Sequence, residues 1–423
     1  MAPPSVVLGV GGGIAAYKAC ELLRLLTESG HRVRVVPTDA ALRFVGEPTW
    51  AALSGQPVST DVWSQAYQVP HVRLGREADL VLVVPATADL LARAAHGLAD
   101  DLLGNILLTA TCPVLYAPAM HTEMWRHPAT VANVAMLRDR GAIVVEPATG
   151  RLTGADTGPG RLPEPAEIFE LARVLLRHSA PREGRPKPGS GMPRADLAGR
   201  RVLVTAGGTR EPLDPVRFLG NHSSGRQGYA FARTAVARGA QVTVVAANVT
   251  LPDPAGVRLH RVGTTEELRA ATLAAAASAD VVVMAAAPAD FRPETYQPEK
   301  IKKADDGTAP TLRLKQNPDI AAELGRAKRP GQLLVAFAAE TPDPAGAHAA
   351  VEHAKAKLER KRADVIVVNE VGSGRAFGTP NNAATVLFAD GTRTELDERP
   401  KDELADAVWD LLLPLLDAPP AGQ

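Results

Sequence analysis

"RVLVTAGGTREPLDPVRFLGNHSSGRQGYA", residues 201–230, runs from an apolar, β-branched stretch through a glycine-rich turn into a helical start. Strand, tight turn and helix in that order open a βα unit. Glycines let the backbone turn sharply there, and the free amides and positive end of the helix attract an anion. Residues 6–20, "VVLGVGGGIAAYKAC", repeat the pattern near the start. Two such turns in one chain predict two separate phosphate-binding centres.

The rhythm around each turn predicts the fold class. From Ser5 to about His178, short apolar runs ("SVVLGV", "RVRVVP", "DLVLVVPA", "PVLYAPA", "AIVVEPA") alternate with alanine- and leucine-rich helical stretches. That alternation implies a parallel sheet with helices on both faces. The segment "HSAPREGRPKPGSGMPRAD" then breaks the pattern with proline, glycine and charge, and reads as a linker. Beyond it "RRVLVTAGG", "QVTVVAA", "ADVVVMAAAPAD", "QLLVAFAAE" and "ADVIVVNE" resume the rhythm, with helices expected at Thr264–Ser278 and Pro344–Lys361. The expectation is an α/β protein with two doubly wound Rossmann-like domains, residues 1–178 and 197–423, joined by a Pro/Gly-rich linker at 179–196.

Composition narrows the function. The 423 residues carry 47 basic and 47 acidic side chains, a balance that gives no overall field for nucleic acid or an anionic membrane and favours small-molecule partners. Two cysteines, Cys20 and Cys112, in different segments argue against a disulfide-stapled secreted scaffold and fit a reducing cytoplasm. The start lacks a basic leader, and no later apolar run reaches membrane-spanning length. A soluble cytoplasmic protein is expected.

In the first half, Gly11–Gly13 could bring backbone amides close to a phosphate, or could simply make a tight βα turn. A second loop, "VVPATADLL", follows a buried strand with the small residues Pro85, Ala86 and Thr87, which admit a flat ring. Ligands of open α/β sheets bind where strands end, and Gly11, Thr38 and Thr87 would all lie there. The residues "GGGIAAYK", "HVRL", "PATADLLARAAHGLADDLL", "PAMHTEMW" and "GADTGPGRLPE" together resemble the flavin-dependent cysteine decarboxylases over nearly all of residues 5–178. The resemblance implies non-covalent FMN at Gly12, Gly13, Thr38 and Thr87, usually between protomers, and a catalytic histidine at His71. Without it, His71 would read as a helix-capping or surface histidine. Two positions depart from the family pattern: His121 stands where asparagine is usual, and Gly154 stands where a loop cysteine commonly precedes Asp156. Histidine can still donate to a substrate carboxylate, so His71, His121 and Asp156 form the expected catalytic group. Oxidising the thiol-bearing carbon to a thioaldehyde gives the electrons left by departing CO2 a sink, and imidazole titrates in the range such proton transfer needs.

In the second half, Ser223, Ser224 and Gly225 could bind an anion or merely cap a helix, and the lysines of "EKIKKADDG" would by themselves read as a solvated face. With "TAGGTREPLDPVRFLGNHSSGRQG", "AAAPADFRP", "KIKK", "NPDI" and "FAAET", however, residues 195–415 resemble phosphopantothenate-cysteine ligase. The two halves in this order resemble the bifunctional bacterial phosphopantothenoylcysteine decarboxylase/phosphopantothenate-cysteine ligase family of coenzyme A synthesis. The resemblance implies CTP with Mg2+, an acyl-cytidylate intermediate, Lys300 assisting its formation, Asn221 its breakdown, and Arg217 near the substrate. It also implies nucleotide contacts at Met284, Ala285, Ala286, Asp290, Lys300, Pro318, Asp319, Ile320, Ala321, Phe337, Lys357 and Lys361, the last two lying four apart on one helical face. The implied partners are 4'-phosphopantothenate, cysteine and CTP, in a homo-oligomer with a trimer-based decarboxylase core and dimeric ligase halves. One rival is a ligase whose flavin half is vestigial or regulatory, which the absent loop thiol would suit. Another is a dinucleotide-dependent oxidoreductase, but Asp39 comes late for its ribose-binding acid and the glycine spacing fits poorly.

Overall fold

The computed structural model describes residues 3–58, 70–152, 156–179, 195–303, 309–340, 347–370 and 379–417. Contacts group the chain into two units, Met1–Gly199 with Val236–Ala240 and Pro252–Val257, and Arg200–Ala235 with Gln241–Leu251 and Arg258–Gln423. The expected linker lies almost wholly outside the described residues.

The first unit is built on β1 (Ser5–Val10), β2 (Arg32–Pro37), β3 (Leu80–Ala86), β4 (Val114–Pro118) and β5 (Ile143–Val144). They form one parallel sheet in the order β2-β1-β3-β4-β5. Every residue of β3 is buried, as expected of a central strand covered on both faces. The helix Ala16–Glu28 buries Ala16, Ala19, Leu22, Leu23 and Leu26, the spacing that turns one helical stripe to a sheet. A hairpin of β6 (Ala148–Arg151) and β7 (Thr157–Arg161) follows the sheet. In this strand order the winding reverses between β1 and β3, so their C-terminal ends open a crevice.

The second unit contains β8 (Arg201–Gly207), the hairpin β9 (Arg210–Pro212) and β10 (Phe218–Gly220), then β11 (Gln241–Ala247), β12 (Val257–Val262) and β13 (Val281–Met284). After these come the antiparallel pair β14 (Phe291–Pro293) and β15 (Leu314–Gln316), then β16 (Leu333–Glu340), β17 (Val365–Glu370), β18 (Asn381–Phe388) and β19 (Arg393–Pro400). The main sheet has eight strands in the order β12-β11-β8-β13-β16-β17-β18-β19. It is parallel from β11 through β17 and antiparallel across β17, β18 and β19. Here the winding reverses between β8 and β13. The helices Arg226–Ala237 and Lys401–Asp417 meet through Phe231 and Trp409, whose rings lie 5.8 Å apart edge to face. Such a pair adds about 0.5–1.5 kcal/mol beyond its buried area. The Trp409 indole N–H donates to Thr234 Oγ1 at 3.1 Å, so the buried ring leaves no polar atom unpaired.

The chain is therefore mixed α/β with parallel Rossmann-like sheets. The antiparallel extension through β18 and β19 was not expected, because "RTELDERP" alternates charge with little apolar content, as suits a solvated edge strand. No helix among the described residues is long and apolar enough to cross a membrane.

Candidate functional sites

In the first unit, the loops after β1, β2, β3 and β4 are tied to one another at the C-terminal edge of the sheet. The Gly11 amide donates to Pro85 O at 3.0 Å, fastening the β1 loop to the end of β3. Gly12 lies so close to the following loop that a Cβ would fall 2.3 Å from Ala40 Cβ, whereas a Cβ on Gly13 would meet only Thr87 Cγ2 at 3.8 Å. The Thr38 hydroxyl accepts from Ala41 N at 3.2 Å and donates to Val10 O at 3.3 Å. Thr87 caps the helix Ala88–His96 by accepting from Leu90 N at 3.2 Å. The Ala119 amide donates to Ala86 O at 3.1 Å and brings the β4 loop alongside. The first and last motifs of this half also meet, since Lys18 Nζ lies 3.2 Å from Glu164, which Arg161 contacts as well. Burial first, and then the Arg161 charge, lower the Lys18 pKa from its ordinary value.

The expected catalytic group divides in two. His121 follows β4 and is exposed at the N-cap of the helix Thr122–Arg126, with its side chain free of any capping bond. Asp156 is exposed beside β7, and that hairpin is held to the His121 loop by Met120 N to Gly160 O at 2.9 Å and by Thr122 Oγ1 to Pro159 O at 2.8 Å. His71 stands in the helix Pro70–Glu77, anchored through its carbonyl, which accepts from Thr109 Oγ1 at 3.0 Å. No hydrogen bond between described residues joins its ring to the glycine or threonine loops, and among the described residues its buried Nδ1 has no partner. A buried imidazole nitrogen left unpaired costs free energy unless a ligand or another group meets it. Gly154 lies outside the described residues. Cys112 cannot stand in for the loop thiol, because it precedes β4 at the opposite edge of the sheet, and burial pushes its thiol up to about 12. Cys20 is half-buried in the helix Ala16–Glu28, and burial raises its pKa too.

In the second unit the edge is organised by the opening motif. Gly207 adopts φ +84°, and a Cβ there would fall 2.0 Å from Ala247 O, so only glycine makes this turn. Asn221, after β10, is exposed, and its Nδ2 donates to Pro288 O at 2.9 Å, binding the glycine-rich segment to the loop after β13. Met284 is buried at the end of β13, Ala285 and Ala286 are half-buried, and Asp290 is exposed at the far end of that loop. Arg217 is gripped by the buried Asp214, with Nη2 at 2.8 Å and Nε at 3.0 Å, and it also donates to Ile301 O. Asp214 further accepts from the amides of Val216, Arg217 and Ile301. Burial alone would raise its pKa, but those amides and the Arg217 guanidinium outweigh it and hold the carboxyl down at about 2. Asp214 thus sets both Arg217 and the backbone next to Lys300, which is itself exposed. Sequence reasoning missed Asp214; the signal was an aspartate three residues before the arginine, in a turn.

Pro318 and Asp319 precede the helix Ile320–Ala327, where Asp319 caps by accepting from Ala322 N at 3.1 Å. Ile320 and Ala321 are buried in the core beneath. Lys361 ends the helix Ala347–Lys361 and pairs with Asp319 at 3.0 Å. Burial tends to raise the Asp319 pKa, but the Ala322 amide and Lys361 together lower it. Lys357, one turn earlier, is half-buried. Phe337 in β16 meets Phe231 edge to face at 5.4 Å. Among the described residues no three His, Cys, Asp or Glu side chains converge on a metal position. Magnesium that arrives with a triphosphate keeps several waters and needs only one or two carboxylates.

Comparison with known proteins shows what each half of the chain is similar to. Residues 1–176 match the flavoprotein family model, and residues 197–415 match that of the DNA/pantothenate metabolism flavoprotein C-terminal domain. The coenzyme A biosynthesis bifunctional protein CoaBC of Mycobacterium tuberculosis is 56% identical over 421 residues, covering 98% of this chain and 97% of that protein. The protein of the same name from Bacillus subtilis is 41% identical over 397 residues, covering 93% of this chain and 92% of its own. Among solved structures, the C-terminal domain of a coenzyme A biosynthesis bifunctional protein CoaBC is 34% identical, with a TM-score of 0.44, and covers 53% of this chain and 98% of its own.

Proposed function

The chain belongs to the family of bifunctional coenzyme A biosynthesis proteins, and from that membership we propose how its two activities are divided. Residues 197–423 join cysteine to 4'-phosphopantothenate with CTP and Mg2+. Residues 1–178 decarboxylate the product, phosphopantothenoylcysteine, to 4'-phosphopantetheine with FMN. The two act as doubly wound domains on a Pro/Gly-rich linker at 179–196, in a cytoplasmic homo-oligomer with trimeric flavin halves and dimeric ligase halves.

In the ligase half, the substrate carboxylate attacks the α-phosphorus of CTP and pyrophosphate leaves. The amine of cysteine then attacks the acyl carbon and CMP leaves. Arg217, oriented by Asp214, holds the anionic acid, and Lys300 offsets charge that builds on the α-phosphate. Asn221, docked on Pro288, aligns the mixed anhydride for the amine. Met284–Ala286, Asp290, Pro318–Ala321, Phe337, Lys357 and Lys361 bind the nucleotide.

In the flavin half, the amides of Gly12 and Gly13 with the hydroxyls of Thr38 and Thr87 would hold FMN. The residues fit that group: the Gly13 position leaves backbone open to a ligand, and Thr87 accepts its capping bond while keeping its own O–H to donate. Bound FMN would supply a reversible two-electron acceptor for the thiol-bearing carbon. His71 moves the proton in that exchange, for which its unpartnered Nδ1 is suited. His121 donates to the substrate carboxylate, and Asp156 approaches from the hairpin.

The observation that carries the reading is the strand order. Each sheet reverses its winding beside its own glycine-rich turn, which supports two separate nucleotide crevices in one chain. Purified protein tests it: flavin absorbance, pyrophosphate release from CTP with 4'-phosphopantothenate and cysteine, and CO2 release from phosphopantothenoylcysteine. A colourless protein that refuses FMN and releases no pyrophosphate refutes the proposal. Ligation without CO2 release would favour the alternative of a vestigial or regulatory flavin half, to which Gly154 and the poor placement of Cys112 lend support.

A further inference from the structure

Behind the β8–β13 crevice lies a polar network in a part of the molecule where water cannot substitute for a lost partner. Thr209 and Thr265 are 0% exposed, Glu211 3% and Asn317 7%. Their hydrogen bonds have a fixed direction. The Thr265 hydroxyl has one hydrogen, and it goes to Glu211 Oε1 at 2.8 Å. In the 2.9 Å contact between Thr209 Oγ1 and Thr265 Oγ1 the donor must then be Thr209. Thr209 in turn accepts from the Ala289 amide at 2.8 Å. A chain of donors therefore runs from the loop after β13, through two hydroxyls, to a buried carboxylate, which also accepts from the Thr265 amide at the start of the helix Thr265–Ala276. Hydrogen bonds linked in such a chain polarise one another.

A second branch ends on the same atom. Asn317 Nδ2 donates to Thr265 Oγ1 at 3.3 Å and to Ala289 O at 2.8 Å, while the Asn317 amide donates to Asp290 O at 2.8 Å. Arg292 donates to Asn317 Oδ1 at 2.9 Å. Asn317 immediately precedes the Pro318–Ala321 segment. The two loops that carry the residues assigned to the nucleotide, Met284–Ala286 with Asp290 and Pro318–Ala321, are thus both referred to Thr265 Oγ1.

We infer that Thr265 is a positioning residue, whose hydroxyl, fixed by Glu211, sets the two nucleotide loops of the ligase half at one relative position. The inference rests on the assignment of those loops to CTP. The hydroxyl touches no substrate; it acts through Thr209 and Asn317. No charge-bearing or metal-binding role is required of it.

The test uses the full-length chain with Thr265→Val, which keeps the shape and removes the hydroxyl, and Thr265→Ser, which restores it. In Thr265→Val the donors of Thr209 and Asn317 lose their shared acceptor and Glu211 loses a donor; the KM for CTP should rise at least about tenfold, while the KM for cysteine stays within about twofold. The amides of Ala289 and Asn317 should exchange with solvent about tenfold faster in the ligand-free protein. Thr265→Ser should return both quantities to those of the unaltered chain. Should Thr265→Val fail to fold, Thr209→Ala cuts only the Ala289 branch and should speed exchange there while leaving Asn317 protected. Unchanged exchange at Ala289, a parallel rise in the KM of every substrate, or a serine variant that behaves like valine would overturn the inference. If the unaltered chain consumed no CTP, the functional assignment would fail, and the exchange measurements would still decide whether Thr265 positions the loops.

Discussion

Gly12 and Gly13 are adjacent in the same turn, yet the structure predicts opposite consequences for an added methyl group. A Cβ on Gly12 would fall 2.3 Å from Ala40 Cβ and 2.9 Å from the Ala40 carbonyl carbon, against an ordinary contact of 3.4–4 Å. The obstacle includes backbone, so no side-chain rotation relieves it, and the β1 loop must move by about 1 Å from the helix Asp39–Leu42. Forcing an extra carbon into packed surroundings costs about 1–3 kcal/mol. If the cost falls on the FMN-binding conformation, Kd for FMN rises about fivefold to 150-fold. If it falls on the fold, Tm drops by about 2–4 °C per kcal/mol. Gly13→Ala meets only Thr87 Cγ2 at 3.8 Å, so its Tm should match that of the unaltered chain. Any loss of FMN affinity there would come from the methyl group standing between the backbone and the phosphate. The assay is fluorescence titration of the deflavinated protein with FMN, beside thermal melting. Full FMN affinity and unaltered Tm in Gly12→Ala would refute the packing argument, and full affinity in Gly13→Ala would remove that amide from the FMN site.

Further outcomes follow from individual groups. The Asp214 pKa lies near 2, below the ordinary 3.8, so its contribution to stability is complete above about pH 4 and is lost as pH falls towards 2. Asp214→Asn should release Arg217, raise the KM for 4'-phosphopantothenate, and show a Tm deficit that shrinks across that acid window; a pH-independent deficit would contradict the linkage. Cys112, buried and with its thiol pushed up to about 12, should resist a thiol-specific disulfide reagent at neutral pH until the chain unfolds, whereas rapid native labelling would mean the β4 edge opens. Lys361→Gln breaks a partly exposed pair with Asp319, so melting should change little, by about 0–1 kcal/mol. If Lys361 turns to the triphosphate during turnover, the KM for CTP should rise in the same variant, and an unchanged KM would leave the lysine a purely structural partner of Asp319.

What the sequence reveals and hides has a physical pattern. The ten apolar runs that announce the two sheets correspond to β1–β5, β8, β11, β13, β16 and β17, because central strands covered on both faces, such as β3, are apolar along their length, while the edge strand β2 keeps its apolar residues among two arginines. The glycine-rich turns were legible for a related reason: a glycine at Gly12 or Gly207 answers a local steric demand that any other residue would violate. The hairpins β6–β7, β9–β10 and β14–β15 were not legible, since short strands such as "TGPGR" and "LKQ" carry neither periodicity nor continuous apolar content. Hardest to see were Thr209, Glu211, Asp214, Thr265 and Asn317. A polar residue in a sequence reads as surface, and these are buried only because each satisfies another across distances in the chain that no spacing rule spans, as Glu211 does for Thr265 and Asp214 for Ile301. That pairing explains why they sit beneath the crevice rather than elsewhere in the core. Apolar contacts such as those of Met284 and Ile320 are non-directional, so it is the directional bonds of the buried hydroxyls and carboxylates that fix how the loops after β8 and β13 are set against each other.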